Sequence, residues 1–230
     1  MKKYEMTSNT KEFSGHKLFQ IKALKNFGSI KAGDLGGYIE KEENLSHDGR
    51  AWVYNNAQVY DNAVIFNNAE VYGNAKVYGN ARVFGNAQIF DNVLVRGNAQ
   101  VYGDTLIYGN VLIYDNAQVS DNAKIFSNAY VFGNAIICGN VLIYGNAWIY
   151  DDALICSNAD YICFRGFSSE GKNTSMFKTR NGEIYVNCGC FKGSLKEFSE
   201  KVKEMHGNSK YEKEYLARIK VVKIYFKIGD

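Results

Sequence analysis

Ala69-Glu70-Val71-Tyr72-Gly73-Asn74-Ala75-Lys76-Val77-Tyr78-Gly79-Asn80 is two copies of one six-residue unit: small, variable, aliphatic, aromatic, and two turn formers. Followed outward in both directions, the unit repeats eighteen times without a gap, from Ala51 to Asn158. The third place is Val or Ile in every copy, and the first is Ala except at Val93, Thr105, Val111 and Val141. These two places lie two residues apart, so the period of a strand puts both on one side, facing inward. The last place is Asn except at Asp104 and Asp152, usually after Gly, Asp or a second Asn. Gly and Asn accept the left-handed backbone that turns a corner. Three residues of strand and a corner every six residues leave no room for a reversing loop, so the array is a solenoid.

The phase of Val71-Tyr72-Gly73-Asn74-Ala75-Lys76 resembles the hexapeptide-repeat family of left-handed parallel β-helices. That family carries an aliphatic residue, two turn residues and a small residue four places on. The resemblance implies a triangular prism with eighteen residues per coil and left-handed winding. Here, however, an aromatic follows the aliphatic residue, where many members are small. The expected fold is mainly β: about six coils over 51–158, a cap over 1–50, and a small α+β domain over 159–230. Six coils at about 4.8 Å each give a prism about 29 Å long.

With three faces per coil, residues eighteen apart share a column. After each aliphatic residue, the first face reads Tyr54, Tyr72, Phe90, Tyr108, Phe126, Tyr144, an aromatic ladder. The second face reads Tyr60, Tyr78, Arg96, Tyr114, Phe132, Tyr150. The third reads Phe66, Phe84, Tyr102, Ser120, Cys138, Cys156, turning small in its last three coils. Ring stacking along the prism accounts for most of these residues. Arg96 is the one charge among the columns. Set between Tyr78 and Tyr114, it is a candidate anion contact, because a guanidinium flanked by rings can hold a phosphate or carboxylate. The other outward place on the second face turns apolar at Leu94, Leu112, Tyr130 and Trp148. Beside Phe132 and Tyr150 it forms a stripe expected to be an oligomer interface; the family resemblance implies trimers through prism faces. Ser120, Ile136, Cys138, Leu154 and Cys156 make a shallow apolar patch expected to receive the chain's own C-terminal helices.

Within 1–50, Phe19–Leu24 reads as a strand, and Ala32–Ile39 as a turn into an imperfect coil that covers an otherwise open strand edge. After Asn158, Tyr161–Phe167 reads as a strand. Met176–Arg180 and Glu183–Cys188 read as a hairpin across Asn181-Gly182. Ser194-Leu195-Lys196-Glu197 is a capping box opening a first helix. A second helix from Ser209 spaces Tyr211, Tyr215, Leu216, Ile219, Val222 and Ile224 as an apolar face. Asp34-Leu35-Gly36-Gly37-Tyr38-Ile39, the array and this tail together resemble a group of phage- and prophage-encoded proteins, which implies an origin more than an activity.

Net charge is +3, divided unevenly: 51–158 holds 4 Lys/Arg against 8 Asp/Glu, and 159–230 holds 14 against 9. Such a balance predicts no nucleic-acid binder, since lysine-rich helices mostly carry a solvated face. No apolar N-terminal run or membrane span is read, and a cytoplasmic setting is expected. Five Cys, an odd number, suggest reduced thiols. No metal spacing and no cofactor motif is present. Hexapeptide-repeat enzymes are mostly acyltransferases with a prism histidine as base, yet His16, His47 and His206 all lie outside the repeats. No catalytic residue is assigned. The leading expectation is a non-enzymatic phage-type interaction protein that self-associates and takes a host protein or a small, nucleotide-like anion. The alternatives are an acyl-CoA-dependent acyltransferase and a structural or virion component.

Overall fold

A computed structural model describes residues 2–164 and 173–228. It is mainly β, a parallel solenoid of about seven turns with a small strand and helix region at its C-terminal end. Each repeat gives one two-residue strand, beginning with Trp52–Val53, Gln58–Val59 and Val64–Ile65. Every strand pairs in parallel with the one eighteen residues on, as in Gln88 with Leu106, Leu94 with Leu112 and Gln100 with Gln118. Three faces result. The inward Ala and Val/Ile side chains are buried throughout and form one continuous core. Thr105 is the only polar residue among them, and its hydroxyl is buried without a hydrogen-bond partner.

The corners bond as well as turn. Asn62, Asn80, Asn98, Asn116 and Asn134 pass amide hydrogen bonds from coil to coil as far as Asp152. A second ladder runs from Asn74 through Asn92, Asn110 and Asn128 to Asn146. Four corner aspartates adopt positive φ and also accept a backbone N–H one coil further on. Asp61, Asp91, Asp115 and Asp121 thus meet the amides of Gly79, Gly109, Gly133 and Gly139. Much of the corner polarity is thus met within the molecule, although the corners themselves face solvent.

The N-terminal cap extends the second face. Tyr4–Phe13 and His16–Ala23 form an antiparallel hairpin. Leu35–Ile39 joins it antiparallel on one side and lies parallel to Gln58–Val59 on the other, making a nine-stranded sheet. In this first imperfect coil Tyr38 meets Gln58 and Leu45 meets Ile65, two residues beyond the spacing of the array. The strand expected at Phe19–Leu24 is His16–Ala23, ending one residue earlier, whereas the sequence of Tyr4–Phe13 shows no sustained apolar alternation to mark its strand.

At the other end, Tyr161–Phe164, Thr174–Lys178, Ile184–Cys188 and Phe191–Ser194 form an antiparallel sheet. The hairpin turns at Asn181-Gly182, with Lys178 opposite Ile184. Positions 165–167 of the strand read over Tyr161–Phe167 lie outside the described residues. Helix α1 is Leu195–His206, capped by Ser194 with Glu197, and α2 is Lys210–Phe226, capped by Ser209. The sheet works on both faces. Phe177 enters the solenoid core, while its neighbour Met176 joins Ile184, Val186, Phe198, Ile219 and Val222 in a second core under the helices. Helix α2 buries Tyr215, Ile219, Val222 and Phe226, and Ile224 is not on that face: it is 78 % exposed. No helix of the described residues is long and apolar enough to cross a membrane.

Candidate functional site

Two overhangs bound the outside of the second face. At one end the tip of the N-terminal hairpin folds over the first coils. Phe13 lies 6.0 Å from the Tyr60 ring, and the Lys76 ammonium sits 3.8 Å above the Phe13 ring. At the other end the C-terminal sheet folds over the last coils. The Lys192 ammonium stands 5.8 Å from Phe132, 5.7 Å from Trp148 and 4.9 Å from Tyr150. Between them Tyr78, Leu94, Arg96, Leu112, Tyr114 and Tyr130 form a half-buried strip that neither overhang crosses.

Arg96 divides the aromatic column of this face. Tyr60 and Tyr78 stack at 4.9 Å, and Tyr114, Phe132 and Tyr150 stack at 4.8 and 5.2 Å. The guanidinium lies over Tyr114, 4.6 Å from the ring centroid. Burial chiefly, with Asp115, holds the Tyr114 hydroxyl above its ordinary range, and Arg96 pulls the other way. Among the described residues no carboxylate pairs with Arg96. The structure therefore places Arg96 and Tyr114 in direct contact, with Tyr78 on the far side of the cation as the end of the other stack.

Within the stripe, Tyr130 and Trp148 stack at 5.1 Å and Leu94 pairs with Leu112 in register. Tyr150 departs from the expected interface: Phe177 and Tyr185 of the C-terminal sheet stand edge-on against it, leaving it 2 % exposed. Phe132, close to Lys192, is half-covered. Of the stripe, Leu94, Leu112, Tyr130 and Trp148 stay accessible on this face.

The C-terminal helices share a core with their own sheet. The end of the last coil is met by the Thr174–Lys178 strand and also by α2, whose Tyr225 hydroxyl donates to the Asn158 carbonyl at 2.7 Å. Ala153 bridges to Thr179, the Trp148 amide donates to Ser175, and Arg180 donates to the Asn134 carbonyl. Ile136 and Leu154 remain half-buried, Ser120 is buried, and Cys156 is exposed. Cys138 and Cys156 are joined as a disulfide, their Cα atoms 4.5 Å apart, where free thiols were expected. One-coil stacking of a column brings two side chains into disulfide range. Cys163, Cys188 and Cys190 are free.

The first-face ladder stacks in two runs, Tyr54 on Tyr72 and then Phe90, Tyr108, Phe126 and Tyr144. Tyr54 and Tyr72 both donate to Glu70.

None of the histidines is poised as a base on the prism. His47 Nδ1 accepts the Lys3 amide at 3.1 Å and its Nε2 lies 2.6 Å from Glu42, so both nitrogens are occupied. His206 sits against Tyr211 and Tyr215 in the helical region. His16 makes a cluster that sequence reading missed, because its members are distant along the chain. Nδ1 is 2.9 Å from Glu40, Nε2 is 3.6 Å from Asp61, and the ring packs at 4.9 Å on Tyr60. Among the described residues this is the one such group whose ligand atoms come within 4.8 Å of one another. Glu40 also accepts the Asp61 amide at 2.6 Å. The Glu40 hydrogen bond foremost raises the His16 pKa against burial. Burial would raise the Glu40 carboxyl, but the His16 and Asp61 hydrogen bonds outweigh it and hold the carboxyl below its usual value. With Glu40 so engaged, the cluster is a histidine–carboxylate clamp tying the hairpin tip to the first coil.

A model of the YdcK beta solenoid repeat matches residues 57–73, 75–88 and 87–103, a stretch inside the array. Over those residues the chain is similar to that repeat, which bears on the fold. No curated protein matches the chain.

Proposed function

We propose that this is a non-enzymatic interaction protein that uses the second face, between its two overhangs, to associate with copies of itself and to hold a small anion. The observation that carries the reading is the juxtaposition of Arg96, a cation without an ion-pair partner among the described residues, with the Leu94, Leu112, Tyr130 and Trp148 stripe. Apolar strips bordered by polar residues mark association surfaces. A guanidinium on an aromatic face can still donate hydrogen bonds at its edges to a phosphate. Prism-to-prism packing is three-fold in the hexapeptide-repeat proteins this array resembles, so a trimer is the favoured assembly. A phage-encoded protein of this kind would act in the host cytoplasm on a host protein or a nucleotide-like signal.

Native mass spectrometry of the protein as purified from cells reads assembly and retained ligand together. A trimer is expected, reduced to monomer by Leu94→Glu with Leu112→Glu. Calorimetry against a nucleotide panel should show binding that Arg96→Ala removes. A wild-type monomer would overturn the association, and silence across the panel would overturn the anion site.

A further inference from the structure

The first-face ladder ends at Tyr54 beside a cavity of ≈ 390 Å³ between the 27–30 loop and the first corner of the array. We propose that this cavity binds a neutral sugar residue, independently of the second face. One face of the Tyr54 ring is taken by Tyr72, 4.2 Å away and nearly parallel. Among the described residues no second ring stacks on Tyr54, and Tyr54 borders the cavity. Phe27 stands in the wall, fixed by reciprocal backbone bonds with Ile30 and by edge contact with the buried Trp52 ring at 5.3 Å.

The polar lining selects the ligand class. Arg50 brings a cation and Glu70 a carboxylate to the same small space, so a dense anion meets Glu70 and a cation meets Arg50. A polyol meets neither penalty, because each hydroxyl both donates and accepts. The lining is also held in place before any ligand arrives. Glu70 accepts from Tyr54, Tyr72 and Gln88, and Asn68 accepts from Arg50 and donates to Asn86. Groups fixed by their own hydrogen bonds lose little freedom on binding. An apolar ring face with a few fixed polar groups around it is the usual composition of a small-molecule site. The C–H face of a pyranose suits the open side of Tyr54, with its rim hydroxyls toward Arg50, Asn68 and Gln88.

Trp52 reports on this wall, and Trp148→Phe leaves it as the sole tryptophan. In that background, titration with glucose, galactose and N-acetylglucosamine should give a saturable change in emission for at least one sugar. Saturation transfer to that sugar's ring protons is expected alongside. Arg50→Ala and Gln88→Ala, both at exposed positions, should each weaken binding about tenfold. Inorganic phosphate should neither bind nor compete. Three results would overturn the proposal: no response to any of the sugars, a response unchanged in both variants, or phosphate binding in place of sugar.

Discussion

Tyr150 meets Phe177 edge-on, ring centroids 5.4 Å apart at 77°, and this pair fastens the C-terminal sheet to the last coil. Phe177 is buried in the solenoid core although its strand belongs to the other unit. Phe177→Ala should cost about 3–5 kcal/mol. The loss should fall on the junction, so limited proteolysis is expected to release the region after residue 158 while the array stays protected.

Two corner glycines separate conformational from steric cost. Gly103 (φ 78°) and Gly145 (φ 74°) share the left-handed backbone. A Cβ on Gly103 would stand 2.7 Å from the Asp121 amide nitrogen, whereas one on Gly145 would meet nothing within 4 Å. Gly145→Ala should cost about 1–2 kcal/mol for its backbone alone. Gly103→Ala should cost distinctly more, read as a larger drop in denaturation midpoint.

Thr105 offers a stabilising change. Its hydroxyl is buried unpaired in the line of inward Ala and Val side chains. Thr105→Val keeps the shape, removes the unmet polar group, and should raise stability by about 1–2 kcal/mol. An unchanged or lower denaturation midpoint would show that the hydroxyl finds a partner in solution.

Lys3 is buried with its ammonium 2.8 Å from the Ala51 carbonyl and 5.1 Å from the Phe27 ring. Burial first, then Lys25, lowers its pKa from 10.5 to about 8, with Asp48 opposing. The unfolded chain therefore holds more protons than the folded one between those values, and stability should rise with pH across that window by about 3 kcal/mol. Lys3→Met should flatten the rise.

The His16 clamp has the opposite sign. Its folded pKa lies above the ordinary 6.5. The stability it lends is complete below 6.5 and is lost as pH rises through the folded value. Hydrogen exchange of the hairpin-tip amides should therefore speed up over that range beyond the intrinsic base-catalysed trend. His16→Leu should remove the excess.

The array was legible because one constraint repeats: an inward Val or Ile every six residues fixes strand, face and register together. The Asn181-Gly182 hairpin and the Ser194 cap were legible because their signals are local. What stayed hidden depends on which remote surface arrives. Tyr150 reads like Tyr114 in its column, yet the C-terminal sheet covers only Tyr150. Ile224 keeps a helical spacing of apolar residues and still points outward, since α2 turns Tyr215, Ile219, Val222 and Phe226 into the second core, beside α1. His16, Glu40 and Asp61 come together only because the hairpin tip folds back.

The amide ladders link each coil to the next in an unchanging register, so a coil can be added or removed without altering the bonds of those that remain. The gap between the overhangs, from Lys76 under Phe13 to Trp148 under Lys192, spans four coil steps, about 19 Å. Excising eighteen residues would close it by about 4.8 Å and duplicating them would open it by as much. The solenoid is in this sense a caliper, its jaws the hairpin and the C-terminal sheet, and its setting the number of coils between them.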